Sequence, residues 1–152
     1  MDKESLTFLK GMEDKNVARL FRGIYNKLES KFPSQNYPTG AMINRAGFHM
    51  KHKDVDYNIN FVPNDNMKFK MLVDVPESLR DNLEEKINEH SKSNAMIEQT
   101  KYLSRHKLQC EVDSLNSSCY LKTIPKKEKD VNKLCDQLWG YVIKPVFLGI
   151  YD

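Results

Sequence analysis

Apolar side chains recur at spacings of three and four over residues 14–32, which places Val17, Leu20, Phe21, Ile24 and Leu28 on one face of a helix. Asp14 stands where a side chain can cap the first free amides, and Pro33 closes the helix from beyond. Leu6, Leu9 and Met12 predict a preceding helical turn, interrupted near Gly11. The stretch 33–40 is dense in Pro, Ser, Asn and Gly and reads as a connecting loop.

The period then drops to two. Ala46, Phe48 and Met50 alternate with Gly47, His49 and Lys51; Val55, Tyr57, Ile59 and Phe61 alternate with Asp56, Asn58 and Asn60. Met67, Phe69, Met71, Val73 and Val75 alternate with Lys68, Lys70 and Asp74, with Leu72 breaking the polar side. Such alternation sets one face of a sheet on a core and turns the other to water, as antiparallel strands do. The turn formers Pro63-Asn64-Asp65-Asn66 predict a hairpin between the second and third strands.

A helix is expected to begin at Pro76 and end near residues 91–94, because Pro76 suits a first helical position and Glu77 and Asp81 complement the helix dipole. Its stripe of Leu79, Leu83 and Ile87 is narrow, so it belongs on the surface. Leu108, Cys110 and Val112, then Cys119, Leu121 and Thr123, predict a second strand pair around a turn-rich 113–117. A last helix starting near Pro125 carries Val131, Leu134, Cys135, Leu138, Trp139, Val142 and Ile143. Gly140 and Pro145 disturb its end, and residues 146–151 form an apolar tail. That tail reads in two ways, as a segment docked on the core or as an exposed surface through which a homodimer forms.

The expected fold is thus α+β, with order α-β-β-β-α-β-β-α in a single domain over residues 1–152. A mostly antiparallel sheet is packed by the N- and C-terminal helices. The element order is similar to that of small secretion chaperones and of accessory domains appended to bacterial restriction enzymes, a likeness of fold that no motif carries.

Composition narrows the setting more than the function. With 152 residues, 39% hydrophobic and 30% charged, the chain can bury a core and is too apolar for disorder. No apolar run approaches the roughly 20 residues that cross a bilayer, so no membrane partner is expected. The opening residues mix both charges without a signal-type apolar core, which predicts a cytoplasmic protein. Cys110, Cys119 and Cys135 are an odd number without C-x-x-C spacing. Cys110 and Cys119 face each other across the second hairpin, and buried thiols are favoured over a disulfide. The net charge of +3 is too small to announce a nucleic-acid partner, although residues 76–98 alone carry −3.

The candidate chemistry is sparse. His49 and His52 sit three apart on a strand, so their side chains leave on opposite faces and cannot share a metal. Asp54 and Asp56 share a face by strand parity, as do Glu111 and Asp113; each pair is a candidate for metal-dependent hydrolysis. The sequence Glu84-Glu85-Lys86 has nuclease-like spacing but lies in a helical stretch. There is no Gly-x-Ser-x-Gly elbow and no phosphate-cradling Gly-rich loop, so no catalytic residue, metal ligand or cofactor is assigned. The polar face of the sheet collects His49, Lys51, Asn58, Asn60, Lys68, Lys70, Tyr120 and Lys122 as a candidate binding face. A basic run, Lys126-Lys127-Glu128-Lys129, opens the last helix. The expected function is that of a non-enzymatic protein-binding module, of the inhibitor, immunity, chaperone-like or accessory kind. The alternative is nucleic-acid binding through the sheet face, with a metal-dependent hydrolase third.

Overall fold

A computed structural model describes residues 3–32, 46–61, 69–74, 82–86, 89, 109–112 and 117–150. These residues mix helices with an antiparallel sheet, as the two periodicities require. Helix α1 spans Lys3–Gly11 and helix α2 spans Lys15–Lys31. The Asp14 carboxylate accepts hydrogen bonds from the amides of Asn16 (3.0 Å) and Val17 (3.2 Å). At the other end Phe32 leaves the helix in extended conformation, φ −131° and ψ 132°, while its N–H still reaches the Leu28 carbonyl at 2.8 Å. The following residue is Pro33, whose ring disfavours helical geometry in its predecessor.

Five strands form one sheet: β1 (Ala46–His52), β2 (Val55–Phe61), β3 (Phe69–Asp74), β4 (Gln109–Val112) and β5 (Ser117–Leu121). Their order is β1-β2-β3-β5-β4, antiparallel throughout. The chain therefore passes over the position of β5 to lay β4 at the edge, and β5 then returns between β4 and β3. The loop joining β2 to β3 lies outside the described residues, but their antiparallel pairing is the one its turn formers predict. Cys110 and Cys119 are opposite each other in the β4–β5 register. Cys119 and Cys135 are buried thiols outside any disulfide.

The β1–β2 hairpin is tighter than the alternation alone indicates. His52 pairs with Val55, and both residues between them, Lys53 and Asp54, have positive φ (50° and 64°). Two successive left-handed residues make the turn whose twist matches that of the strands, and it normally selects Asn-Gly. Asp tolerates this conformation; Lys adopts it at a cost of about 1–2 kcal/mol.

Phe48, Met50, Tyr57, Ile59, Met71, Val73, Cys119 and Leu121 are buried on one sheet face. Helices α2 and α3 (Glu128–Leu138) belong to the same core cluster, contributing Val17, Leu20, Phe21, Ile24, Tyr25, Leu28, Val131, Leu134 and Leu138. Each fully buried Leu, Ile or Phe there contributes about 1.5–3 kcal/mol. Tyr25 meets Phe48 edge-on, with centroids 5.2 Å apart, which seats α2 on β1. Helices α2 and α3 lie close enough that a Cβ added at Gly23 would stand 2.6 Å from Cys135 Sγ. Polar contacts tie the same two helices at their solvent margins: Lys27 Nζ to Asp136 Oδ1 at 2.9 Å and Arg19 Nε to Glu128 Oε1 at 3.5 Å.

Two expectations are revised. Helix α3 begins at Glu128, not near Pro125, because the Pro125 and Lys126 carbonyls accept from Asn16 Nδ2 at 3.4 and 2.7 Å instead of opening the helix. Its end is a π-helix, Trp139–Phe147, in which Leu148 donates to the Ile143 carbonyl five residues back. Pro145 lies inside this segment and supplies no N–H, so the regular four-residue bonding cannot continue through it. In this wider winding Leu138, Ile143 and Leu148 are all buried at spacings of five. Of the two readings of the apolar tail, the described part follows the first: Val146, Phe147, Leu148 and Ile150 are buried within the chain. Of the helix expected from Pro76 to near residues 91–94, the described part is a helical turn over residues 82–86, with Leu83 buried, and residue 89, also helical. Among the described residues no helix is long and apolar enough to cross a membrane.

Candidate functional site

The strand register arranges the sheet-face candidates in rows. His49 lies opposite Asn58, which lies opposite Asp74; Lys51 lies opposite Asp56; Lys70 lies opposite Tyr120, which lies opposite Gln109. Lys51 and Lys122 are exposed and Lys70 is half-buried. Lys68 and the side chains of His49, Asn58 and Tyr120 lie outside the described residues. Asn60 departs from the expectation. Although strand parity puts it on the polar face, it is only 8% exposed, so that face is covered at this point.

The acidic pair Asp54/Asp56 does not form as parity requires. Asp54 occupies the second left-handed turn position, off the strand, so the alternation that aligned it with Asp56 no longer applies. Asp113 of the second pair lies outside the described residues. Among the described residues no three His, Cys, Asp or Glu side chains gather closely enough to hold a metal ion. Burial pushes the Cys135 thiol up to about 11, with Asp136 adding to the rise and Lys27 opposing it, so this sulfur stays protonated and unreactive at neutral pH.

A different site emerges where the β1–β2 turn, the helical turn 82–86 and the end of the π-helix meet. These segments line a cleft of about 200 Å³. Its polar wall is His52, Lys53, Tyr57, Asn82 and Lys86; its apolar wall is Leu83 and the Val146–Gly149 segment. Lys53 is exposed and Lys86 half-buried. Among the described residues neither is paired with a carboxylate. The His52 ring packs edge-on against Phe32 at 5.4 Å, and its Nε2 is buried without a hydrogen-bond partner among the described residues. Burial lowers the His52 pKa, reinforced by Lys53 and Lys31, so the ring is neutral at pH 7. Burial likewise raises the Tyr57 phenol, which remains a hydrogen-bond donor. Gly149 has φ +66°, and a Cβ there would sit 3.7 Å from Lys86 Nζ, so the backbone passes close beside the ammonium.

The cleft is therefore lined by two ammonium groups, a phenol, an amide and the neutral His52 ring, with no carboxylate, aliphatic hydroxyl or thiol among its lining residues. Such a set can hold and orient an anion. Sequence reasoning missed it because its three walls come from positions far apart in the chain. The one local signal was the two-residue gap between the alternating runs of β1 and β2. Comparison with protein-family models, with curated proteins and with solved structures finds no match to this chain.

Proposed function

We propose that this chain is a non-enzymatic protein-binding module, of the inhibitor, immunity, chaperone-like or accessory kind, that recognises an anionic feature of its partner at the cleft. The observation that carries this reading is a concave wall of donors in which Lys53 and Lys86 have no carboxylate partner among the described residues. Cations held beside apolar surface in a recess gain most from an external anion, because the low-dielectric wall strengthens the attraction and favours encounter. The lining holds no carboxylate, Ser, Thr or Cys, and the Nε2 of the neutral His52 ring is buried rather than open to the cleft's solvent.

The test is a pull-down with the full chain, comparing wild type with Lys53→Glu/Lys86→Glu, followed by sizing of the captured complex. A protein complex of fixed stoichiometry that forms with wild type and is lost in the charge-reversed variant is the expected result. A chain that stays alone among proteins but retains oligonucleotide, with Lys51, Lys70 and Lys122 as the required cations, would replace this reading with nucleic-acid binding at the sheet face.

A further inference from the structure

From the donor set of the cleft we infer a binding site for one phosphoryl dianion, presented as inorganic phosphate or as a phosphomonoester on a partner segment. The inference rests on the reading of the cleft as an anion-recognition site and names the anion.

Charge is the first argument. A phosphomonoester carries about −1.5 to −2 at pH 7, and Lys53 and Lys86 bring two positive charges to the cleft wall. A single carboxylate would leave one ammonium uncompensated. Donor number is the second. Four donor-bearing side chains line the cleft, Lys53 on the hairpin turn, Tyr57 on β2, and Asn82 and Lys86 on the helical turn, more than the two oxygens of a carboxylate need and suited to the three of a phosphoryl group. Size is the third. About 200 Å³ is below the roughly 300–1,000 Å³ of drug- and cofactor-sized sites and suits one compact group.

Backbone strain is an independent pointer. Lys53 is held at φ 50°, where a glycine would be more stable, and the turn thereby delivers a lysine to the cleft rim. Gly149, at φ +66°, lets the chain pass Lys86 Nζ without a side chain between them. Both positions give up or require special backbone geometry around the two ammonium groups.

The experiment is calorimetric titration of the full chain at constant ionic strength with inorganic phosphate, N-acetyl-O-phosphoserine amide and acetate, repeated on Lys53→Gly and Lys86→Gln. Phosphate or the phosphoserine compound should bind one to one, with acetate at least roughly tenfold weaker. Each lysine substitution should weaken phosphate binding by about tenfold. Lys53→Gly should do so while raising the melting temperature, which separates loss of the ligand contact from loss of fold. Tighter binding of the phosphoserine compound than of phosphate assigns the source to a modified partner segment; the reverse assigns it to free phosphate. Absence of saturable binding, acetate binding as tight as phosphate, or wild-type affinity in the Lys53→Gly/Lys86→Gln double variant would overturn the inference. If the partner complex of the pull-down still forms with phosphatase-treated partner and still needs both lysines, the phosphoryl assignment fails while the binding-module reading stands.

Discussion

Replacing Gly23 by alanine sets two well-characterised effects against each other. In the interior of helix α2, alanine is favoured over glycine by about 1 kcal/mol, because glycine loses more backbone freedom on folding. At this position the new methyl would lie 2.6 Å from Cys135 Sγ, well inside van der Waals contact, and at an ordinary 3.6 Å from Cys135 Cβ. Cys135 is only 6% exposed, so its sulfur cannot move without displacing core neighbours. Overpacking of this kind costs about 1–3 kcal/mol, so Gly23→Ala should be net destabilising, by about 1 kcal/mol. For a chain of this length that lowers the melting temperature by roughly 2–4 °C. Thermal and urea unfolding followed by circular dichroism would measure it, with the urea m-value unchanged. Cys135→Ala removes the obstructing sulfur, and in that background Gly23→Ala should become stabilising by about 1 kcal/mol. A Gly23→Ala variant at least as stable as wild type would refute the close-approach argument. A loss of equal size in both backgrounds would show that something other than the sulfur opposes the methyl.

Alkaline pH should weaken the fold through Cys135. Its thiol titrates near 9.0 when unfolded and at about 11 when folded, so the unfolded chain releases its proton first. Stability should fall by about 2 kcal/mol more between pH 9 and 11 than it does in Cys135→Ala, and equal slopes would contradict that burial. Acid pH acts through His52. Its folded pKa lies below the ordinary imidazole value of 6.5, so stability is full above 6.5 and declines as pH falls through that value toward the folded pKa. His52→Phe keeps a ring against Phe32 and should flatten this decline; an unaltered acid limb in stability curves would remove His52 as the cause. Asp14→Ala deletes the acceptor of two amide hydrogen bonds and should cost about 1 kcal/mol in chemical denaturation, whereas an unchanged midpoint would mean water replaces the cap.

What was legible in the sequence follows from how local each determinant is. The α2 stripe and its Asp14 cap are read within a few residues, and the structure places them accordingly, with the helix ending at Lys31. The alternation at Phe48, Met50, Tyr57, Ile59, Met71 and Val73 likewise identified the core face. Parity tells which side of a strand a residue takes but not whether that side is covered, and Asn60 shows the difference. The hairpin at Lys53-Asp54 escaped notice because it lacks the glycine that normally marks two positive-φ positions. The π-helix escaped because a period of five over Leu138, Ile143 and Leu148 overlaps too closely with helical spacing in an apolar run. The cleft was invisible for a third reason: Lys53, Lys86 and Gly149 meet only through tertiary packing, and the parts of a site assembled that way carry no shared spacing.

The seam between α2 and α3 joins residues more than a hundred positions apart, as in the bond from Asn16 to the carbonyl of Lys126. During synthesis the apolar stripe of Val17, Leu20, Phe21, Ile24 and Leu28 can therefore complete its cover only when α3 has been translated. At about 5–20 residues per second, that interval is on the order of 5 to 20 s. Over that time the nascent chain displays a ready-made amphipathic ligand for chaperones, or for neighbouring copies on the same message. Ribosome-bound intermediates ending before α3 should therefore be more aggregation-prone than the released chain.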